Sequence, residues 1–293
     1  MRWIATPPVI LDFDNSVLTL SADEIRLGLS QKQEALRYGC SWPTFKRLEQ
    51  DLSLLPTNMG CLFLGSGDYH HLSLIPLKRL ADIKAPLEVV VCDNHPDNMR
   101  YFFGVHCGSW VRWAAVLPGI SHVHVLGITS PDITWPHALE NHWQPLLFDR
   151  LTYWCIGQRA TWLNLLGGSK SYRSFNSADE LLDCFCEKAS RLHRVYLSID
   201  KDVFNPQTVK TNWDQGTWEK RHLETLIAML AGRLAGADVT GEVSGYTYKS
   251  WFKRLLTKLD KLEKPDPFQI KLWQSEQQKF NLELLSMLQK SGH

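Results

Sequence analysis

No run of about 18 consecutive apolar residues occurs in the chain, so it offers no membrane-spanning helix. Charge of one sign is not in excess: 32 Lys and Arg stand against 31 Asp and Glu, a net charge of +1. A nucleic-acid partner calls for a basic excess or stripe, and none is present. Cysteines are few, odd in number at seven, and scattered. Without a Cys-x-x-Cys pair a thiolate zinc site is excluded, and the spacing argues for reduced cytoplasmic thiols rather than a disulfide framework. The N-terminal stretch lacks an apolar core, since Asp12 and Asp14 interrupt it, so it does not read as a signal peptide. Internal repeats and low-complexity linkers are also missing, which favours one domain.

Short apolar runs alternate with longer helical patterns. Strands are expected over 8–13, 61–65, 88–92, 122–127, 194–199 and 237–243. Leu-Glu-Val-Val-Val-Cys and Val-Tyr-Leu-Ser-Ile are apolar with little alternation, the pattern of strands covered on both faces. Helices are expected over 22–38, 71–82, 109–117, 178–192, 217–234 and 248–262. This alternation predicts an α/β fold with a mostly parallel central sheet. Residues 128–176, rich in Trp, Pro and polar residues, receive no assignment. Pro265 and Pro267 break the chain before an amphipathic stretch over 268–288. The expected organisation is therefore an α/β domain over 1–264 with a helical tail, 265–293, packed on it.

Three segments carry metal-ligating residue types. They are Gly65-Ser66-Gly67-Asp68-Tyr69-His70-His71, Asp93-Asn94-His95-Pro96-Asp97, and Ser198-Ile199-Asp200-Lys201-Asp202-Val203-Phe204-Asn205-Pro206. Each follows an expected strand, and open parallel sheets bind ligands beyond the carboxyl ends of their strands. Carboxylates and neutral imidazoles suit Mn²⁺, Fe²⁺ or Zn²⁺, and an oxygen-rich set favours the harder ions. Four clustered carboxylates need cations to offset their repulsion. Each motif alone has an ordinary reading: Asp93 could cap the following turn, and His70 could be a core histidine. Three motifs, all at strand ends, favour a metal.

These residues resemble the signatures of the ureohydrolase family, which includes arginase, agmatinase and formimidoylglutamase, over roughly residues 60–245. Gly67-Asp68-Tyr69-His70-His71 is similar to the family's Gly-Gly-Asp-His-Ser turn, with residues inserted. Asp93–Asp97 matches Asp-Ala-His-x-Asp, and Ser198–Pro206 matches Ser-x-Asp-x-Asp-x-x-Asp-Pro with Asn205 for the last Asp. His70 rather than His71 keeps the family's separation from Asp93. The resemblance implies a single-domain, three-layer, arginase-like α/β fold. It also implies metal ligands His70, Asp93, His95, Asp97, Asp200 and Asp202 around two divalent ions, with Mn²⁺ preferred and Zn²⁺ or Fe²⁺ as alternatives. Glu242, in Ala-Asp-Val-Thr-Gly-Glu-Val, would accept hydrogen bonds from a guanidinium-like group. His106, in His-Cys-Gly-Ser, would be the proton shuttle, although it is displaced by one residue from the family pattern. Lys210 sits in the substrate loop, where it would discourage a cation unless it binds a substrate carboxylate.

The implied activity is hydrolysis of a linear C–N bond in a small guanidino, amidino or formimino substrate. Two ions would activate a water, with Asp202 taking its proton. Related enzymes are commonly trimers or hexamers, which leaves a homo-oligomer open. Two rival readings are a zinc deacetylase-like amide hydrolase on the same fold and a non-catalytic metal-binding protein.

Overall fold

Apolar runs without polar alternation belong in a sheet covered on both faces. In the computed structural model, which describes residues 6–55, 60–82, 84–259 and 265–291, such runs assemble into one central sheet. The strands in chain order are β1 (Val9–Asp12), β2 (Ile25–Gly28), β3 (Gly39–Cys40), β4 (Leu62–Gly65), β5 (Leu87–Cys92) and β6 (Val105–His106), followed by β7 (Ile120–Ile128), β8 (Leu151–Ile156), β9 (Tyr172–Phe175), β10 (Val195–Asp200) and β11 (Leu234–Thr240). Nine form the sheet in the order β2-β1-β4-β11-β10-β5-β7-β8-β9. Every pairing in it is parallel. β3 and β6 form a separate antiparallel ribbon in which Gly39 faces His106.

The period-2 geometry of a strand sends alternate residues to opposite faces. Val89 and Val91 of β5 enter one core, and Val90 and Cys92 enter the other. The first core is covered by helices Trp42–Asp51, Leu74–Leu80 and Trp110–Ala115, through Phe45, Leu48, Leu77, Trp110 and Ala114. The second is covered by Ala178–Ala189, Lys220–Met229 and the C-terminal helix Pro267–Lys290, through Leu181, Phe185, Leu226, Phe280 and Leu284. The result is a three-layer α/β/α fold. All seven cysteines are free thiols. No helix among the described residues is long and apolar enough to cross a membrane.

One expectation from the sequence requires correction. Residues 22–38 are not one helix: 25–28 form edge strand β2, and only Gln33–Leu36 is α-helical. Backbone pairing with β1 and the Arg26 ion pairs to Asp12 and Glu24 decide the conformation there, overriding a weak helical pattern. The unassigned region 128–176 contains β8, buried along its whole length, and β9. The helix expected over 248–262 is found over Trp251–Leu259; residues 260–262, and the proposed boundary at 264, touch positions outside the described residues.

The C-terminal helix opens with a capping box between Asp266 and Gln269, with Pro267 in its first turn, as expected for a helix start. Its inner face carries polar as well as apolar groups. Gln277 is fully buried; it accepts from Val243 N–H at 2.8 Å and donates to the carbonyls of Lys210 and Gly241, both at 2.9 Å. One side chain thereby fastens two loops at the carboxyl edge of the sheet.

Candidate metal centre

β4, β11, β10 and β5 are neighbours at the middle of the sheet, so their carboxyl ends place the three motifs side by side. After β4 the chain turns through Gly67–Ser73, a buried 3-10 segment carrying His70. Asp93 follows β5 directly, and Asp200 is the last residue of β10. Asp97 lies at φ 46°, a left-handed conformation that Asp tolerates better than most residues.

The six residues expected as ligands meet in one cluster. His70 Nδ1 lies 3.2 Å from Asp93 Oδ2, 3.0 Å from Asp97 Oδ2 and 3.4 Å from Asp200 Oδ2. His95 Nδ1 lies 2.9 Å from Asp202 Oδ2 and 3.7 Å from Asp93 Oδ1. Asp93 therefore offers one oxygen to each histidine and joins two triads, His70–Asp93–Asp97 and His95–Asp93–Asp202. His71 is buried elsewhere, with Nε2 3.9 Å from Cys40 Sγ.

The donor atoms fit divalent cations. His70 Nδ1 and Asp93 Oδ2 are buried without a hydrogen-bond partner, although Nδ1 lies within 3.4 Å of three carboxylate oxygens. Atoms that converge without the angles of a hydrogen bond could serve as ligands to a shared ion.

The groups behind the cluster fix each ring. His70 Nε2 is 2.9 Å from Ser198 Oγ, which donates to Asp238 Oδ1 at 2.7 Å. Tyr196 donates to the other oxygen of Asp238 at 2.7 Å. Because Asp238 accepts the Ser198 proton, Ser198 must accept from His70 Nε2–H, so that it is Nδ1 that faces the carboxylates and would be the atom offered to an ion. Asp97 Oδ2 accepts from Trp110 Nε1–H at 2.7 Å, and Asn94 N–H donates to Asp202 Oδ1 at 3.0 Å.

Charge is balanced unevenly. Burial alone would raise Asp93, but its contacts with His70 and His95 hold it well below the usual carboxylate range. Burial and the Asp93 charge push Asp97 and Asp202 up to about 7. Burial and neighbouring Asp202 push Asp200 far up. Burial disfavours the imidazolium of His70, yet Asp93 and Asp97 outweigh it and raise that pKa well above the ordinary value. Three of the four carboxylates are thus pushed toward the protonated form, as burial and mutual repulsion require, while Asp93 stays charged between the two histidines.

The other expected site residues are placed differently. His106 is buried; its Nδ1 accepts from Gly108 N–H at 2.9 Å, and burial lowers its pKa to about 4. Its ring lies between Tyr38 at 5.7 Å and Tyr101 at 4.4 Å. Glu242 follows Gly241, which has a φ of 90° and comes directly after the end of β11. A Cβ at Gly241 would lie 2.7 Å from Asp200 Oδ1, so only glycine fits. Glu242 is 2% exposed; Oε1 is ion-paired with fully buried Lys201 and accepts from Asn281 at 2.7 Å. Lys210 Nζ sits 4.9 Å over the Trp273 ring.

Asp238 and Asp214 escaped sequence reading, whereas Trp213 is legible there only as a bulky residue of the substrate loop. Asp238 had a legible signal, a lone acid inside the apolar run Ala237-Asp238-Val239. Trp213, 5.8 Å from His95, and Asp214, 2.9 Å from His95 Nε2, lie in a loop whose path depends on tertiary contacts.

No family model matches the chain. A Thermotoga maritima protein described only as uncharacterized is 28% identical over 264 residues, covering 88% of this chain and 79% of the relative. Among solved structures, proclavaminate amidino hydrolase from Streptomyces clavuligerus superposes with a TM-score of 0.55 at 16% identity, covering 98% of this chain and 93% of that one. Formimidoylglutamase from Bacillus subtilis gives 0.55 at 12% identity, covering 97% and 86%. Entamoeba histolytica arginase in complex with L-ornithine gives 0.55 at 12% identity, covering 98% and 99%. The likeness extends over nearly the whole chain, and it is one of architecture: the protein has the α/β fold of the arginase-type hydrolases, the fold that its sequence motifs imply.

Proposed function

We propose that this chain is a divergent ureohydrolase, a metal-dependent hydrolase of linear C–N bonds in small guanidino, amidino or formimino compounds. The observation that carries this reading is the sharing of Asp93 between two His-carboxylate triads. Two divalent ions, Mn²⁺ by preference, would be held by His70, Asp93, Asp97 and Asp200 on one side and by His95, Asp93 and Asp202 on the other. When bound, such ions polarise the substrate and lower the pKa of water toward neutrality.

The chain's own residues do the rest. Ser198 and Asp238 hold His70 in one tautomer. Asp202 is the base that takes the proton of the attacking water, a role open to a carboxylate at the metal position. His106 is buried and kept neutral, with Nδ1 accepting from Gly108 N–H, so it has no acidic proton to give up, and the proton that Asp202 takes from the water passes on to the leaving amine. Trp213 and Trp110 shield the cluster from solvent, with Trp110 4.7 Å from His70.

One observation weighs against a guanidinium cation and favours an uncharged substrate, including the acyl-amine of the rival amide-hydrolase reading. Glu242 Oε1 is paired with Lys201 and Asn281, so the charge of the carboxylate is largely offset by an internal cation, although Oε2 has no hydrogen-bond partner. The test is a product screen on Mn²⁺-loaded protein, measuring urea, ammonia and free amine from guanidino, formimino and acyl-amine compounds. Turnover that disappears with chelator supports the reading. Metal-loaded protein inert toward every class contradicts it.

A further inference from the structure

The two histidines of the cluster are supported in opposite ways. His70 rests on a buried chain, Ser198 and Asp238, both fully enclosed. His95 rests on Asp214, whose carboxylate is 64% exposed and belongs to a loop. Asp214 Oδ1 lies 2.9 Å from His95 Nε2. Asn94, adjacent to His95, donates through Nδ2 to Asp214 Oδ2 at 3.1 Å and to the Asp214 carbonyl at 3.0 Å. The His95 ring thus spans two carboxylates, Asp202 at Nδ1 and Asp214 at Nε2.

The loop is built to deliver Asp214 there. Gly216 N–H donates to the Asp202 carbonyl at 2.7 Å, so the loop closes back onto the segment bearing the carboxylates. A Cβ at Gly216 would lie 2.4 Å from the Val203 carbonyl oxygen, and no other residue permits that approach. Gln215 ties the interior of the loop, donating to the carbonyls of Phe204 at 3.0 Å and Val209 at 2.7 Å. Gln277 of the C-terminal helix anchors its start at Lys210.

We propose that Asp214 is the positioning residue of the His95–Asp93–Asp202 metal position. It holds the His95 proton on Nε2 and the Nδ1 lone pair toward Asp93 and Asp202. Retention of an ion there depends on the loop, whereas retention at the His70 position does not. A carboxylate behind a metal-bound histidine both orients the ring and increases its basicity, and its loss commonly lowers metal affinity 10- to 100-fold. The inference rests on the two-metal reading above, and its test separates the two.

The experiment is calorimetric Mn²⁺ titration of the full chain, wild type against Asp214→Ala, Asp214→Asn and Asp214→Glu, with melting temperatures recorded in chelator. The expected wild-type result is two ions per chain. Asp214→Ala weakens one of them about 10- to 100-fold and leaves the other within about twofold. Asp214→Asn, which keeps shape but loses charge, falls between, and Asp214→Glu restores part of the affinity. The exposed site leaves the chelated melting temperature unchanged in all three. Two wild-type ions with both affinities unaltered in Asp214→Ala overturn the proposal while leaving the metal reading intact. Equal weakening of both ions also overturns it. A wild-type chain that takes up no Mn²⁺ removes the metal reading, and the proposal with it.

Discussion

Lys201 and Glu242 give the sharpest disagreement between what the motifs imply and what the fold does with them. Lys201 is fully buried and Glu242 is 2% exposed, and they form an ion pair supported by Asn281. Burial pulls the Lys201 ammonium down, while Glu242 opposes that pull. Removing one partner leaves an uncompensated buried charge, which costs about 3–5 kcal/mol, whereas replacing both with apolar residues of similar volume is close to neutral. At roughly 2–4 °C per kcal/mol for a large domain, Glu242→Met and Lys201→Met should each lower the melting temperature by about 6–20 °C. The double variant Lys201→Met/Glu242→Met should recover most of that loss. A double-mutant cycle followed by circular dichroism measures the coupling directly. The reasoning is refuted if Glu242→Met melts like wild type. If that variant also raises KM for a guanidinium compound with little change in kcat, Glu242 serves a cationic substrate instead of Lys201.

Ser198→Ala deletes the hydroxyl between His70 Nε2 and Asp238 and leaves two buried groups unpaired. It should cost about 2–5 kcal/mol of stability and about 10- to 100-fold in metal affinity; unchanged Mn²⁺ binding by titration contradicts the relay. The pH dependence has a fixed sign. Asp97 and Asp202 are raised to about 7 in the fold, against about 3.9 in the unfolded chain. The stability they contribute when protonated is fully present below the lower value and is lost as pH rises toward 7. Melting curves in chelator should therefore show this contribution shrinking between pH 5 and 7. Mn²⁺ displaces the same protons, so the gain in melting temperature on adding it should grow across that window; a gain independent of pH contradicts the assignment.

The central strands were legible in the sequence because parallel strands buried on both faces read as unbroken apolar runs, as in β5 and β10. The cluster was legible for a related reason: its residues follow those strands immediately, so little chain intervenes between a readable element and its chemistry. β2 was misread because an edge strand with mixed polarity, Ile-Arg-Leu-Gly, carries no two-sided apolar signal. β8 and β9 were passed over because Trp, Pro and Gly in the surrounding turns obscure short strands. The support for His95 and the engagement of Glu242 were out of reach for a different reason. Asp214 meets His95 across 119 positions and Lys201 meets Glu242 across 41, and such pairings follow from loop paths and from Gly241 and Gly216, not from local pattern.

Because Asp93 contributes an oxygen to each triad, it gives the most direct test of the account. The measurement is the Mn²⁺ content of the purified, metal-loaded and desalted full chain, compared with Asp93→Asn prepared identically. The account predicts two ions per wild-type chain and loss of both in Asp93→Asn, with that variant retaining the wild-type circular dichroism spectrum. A single wild-type ion, or two ions that both survive in Asp93→Asn, would contradict a shared binuclear centre.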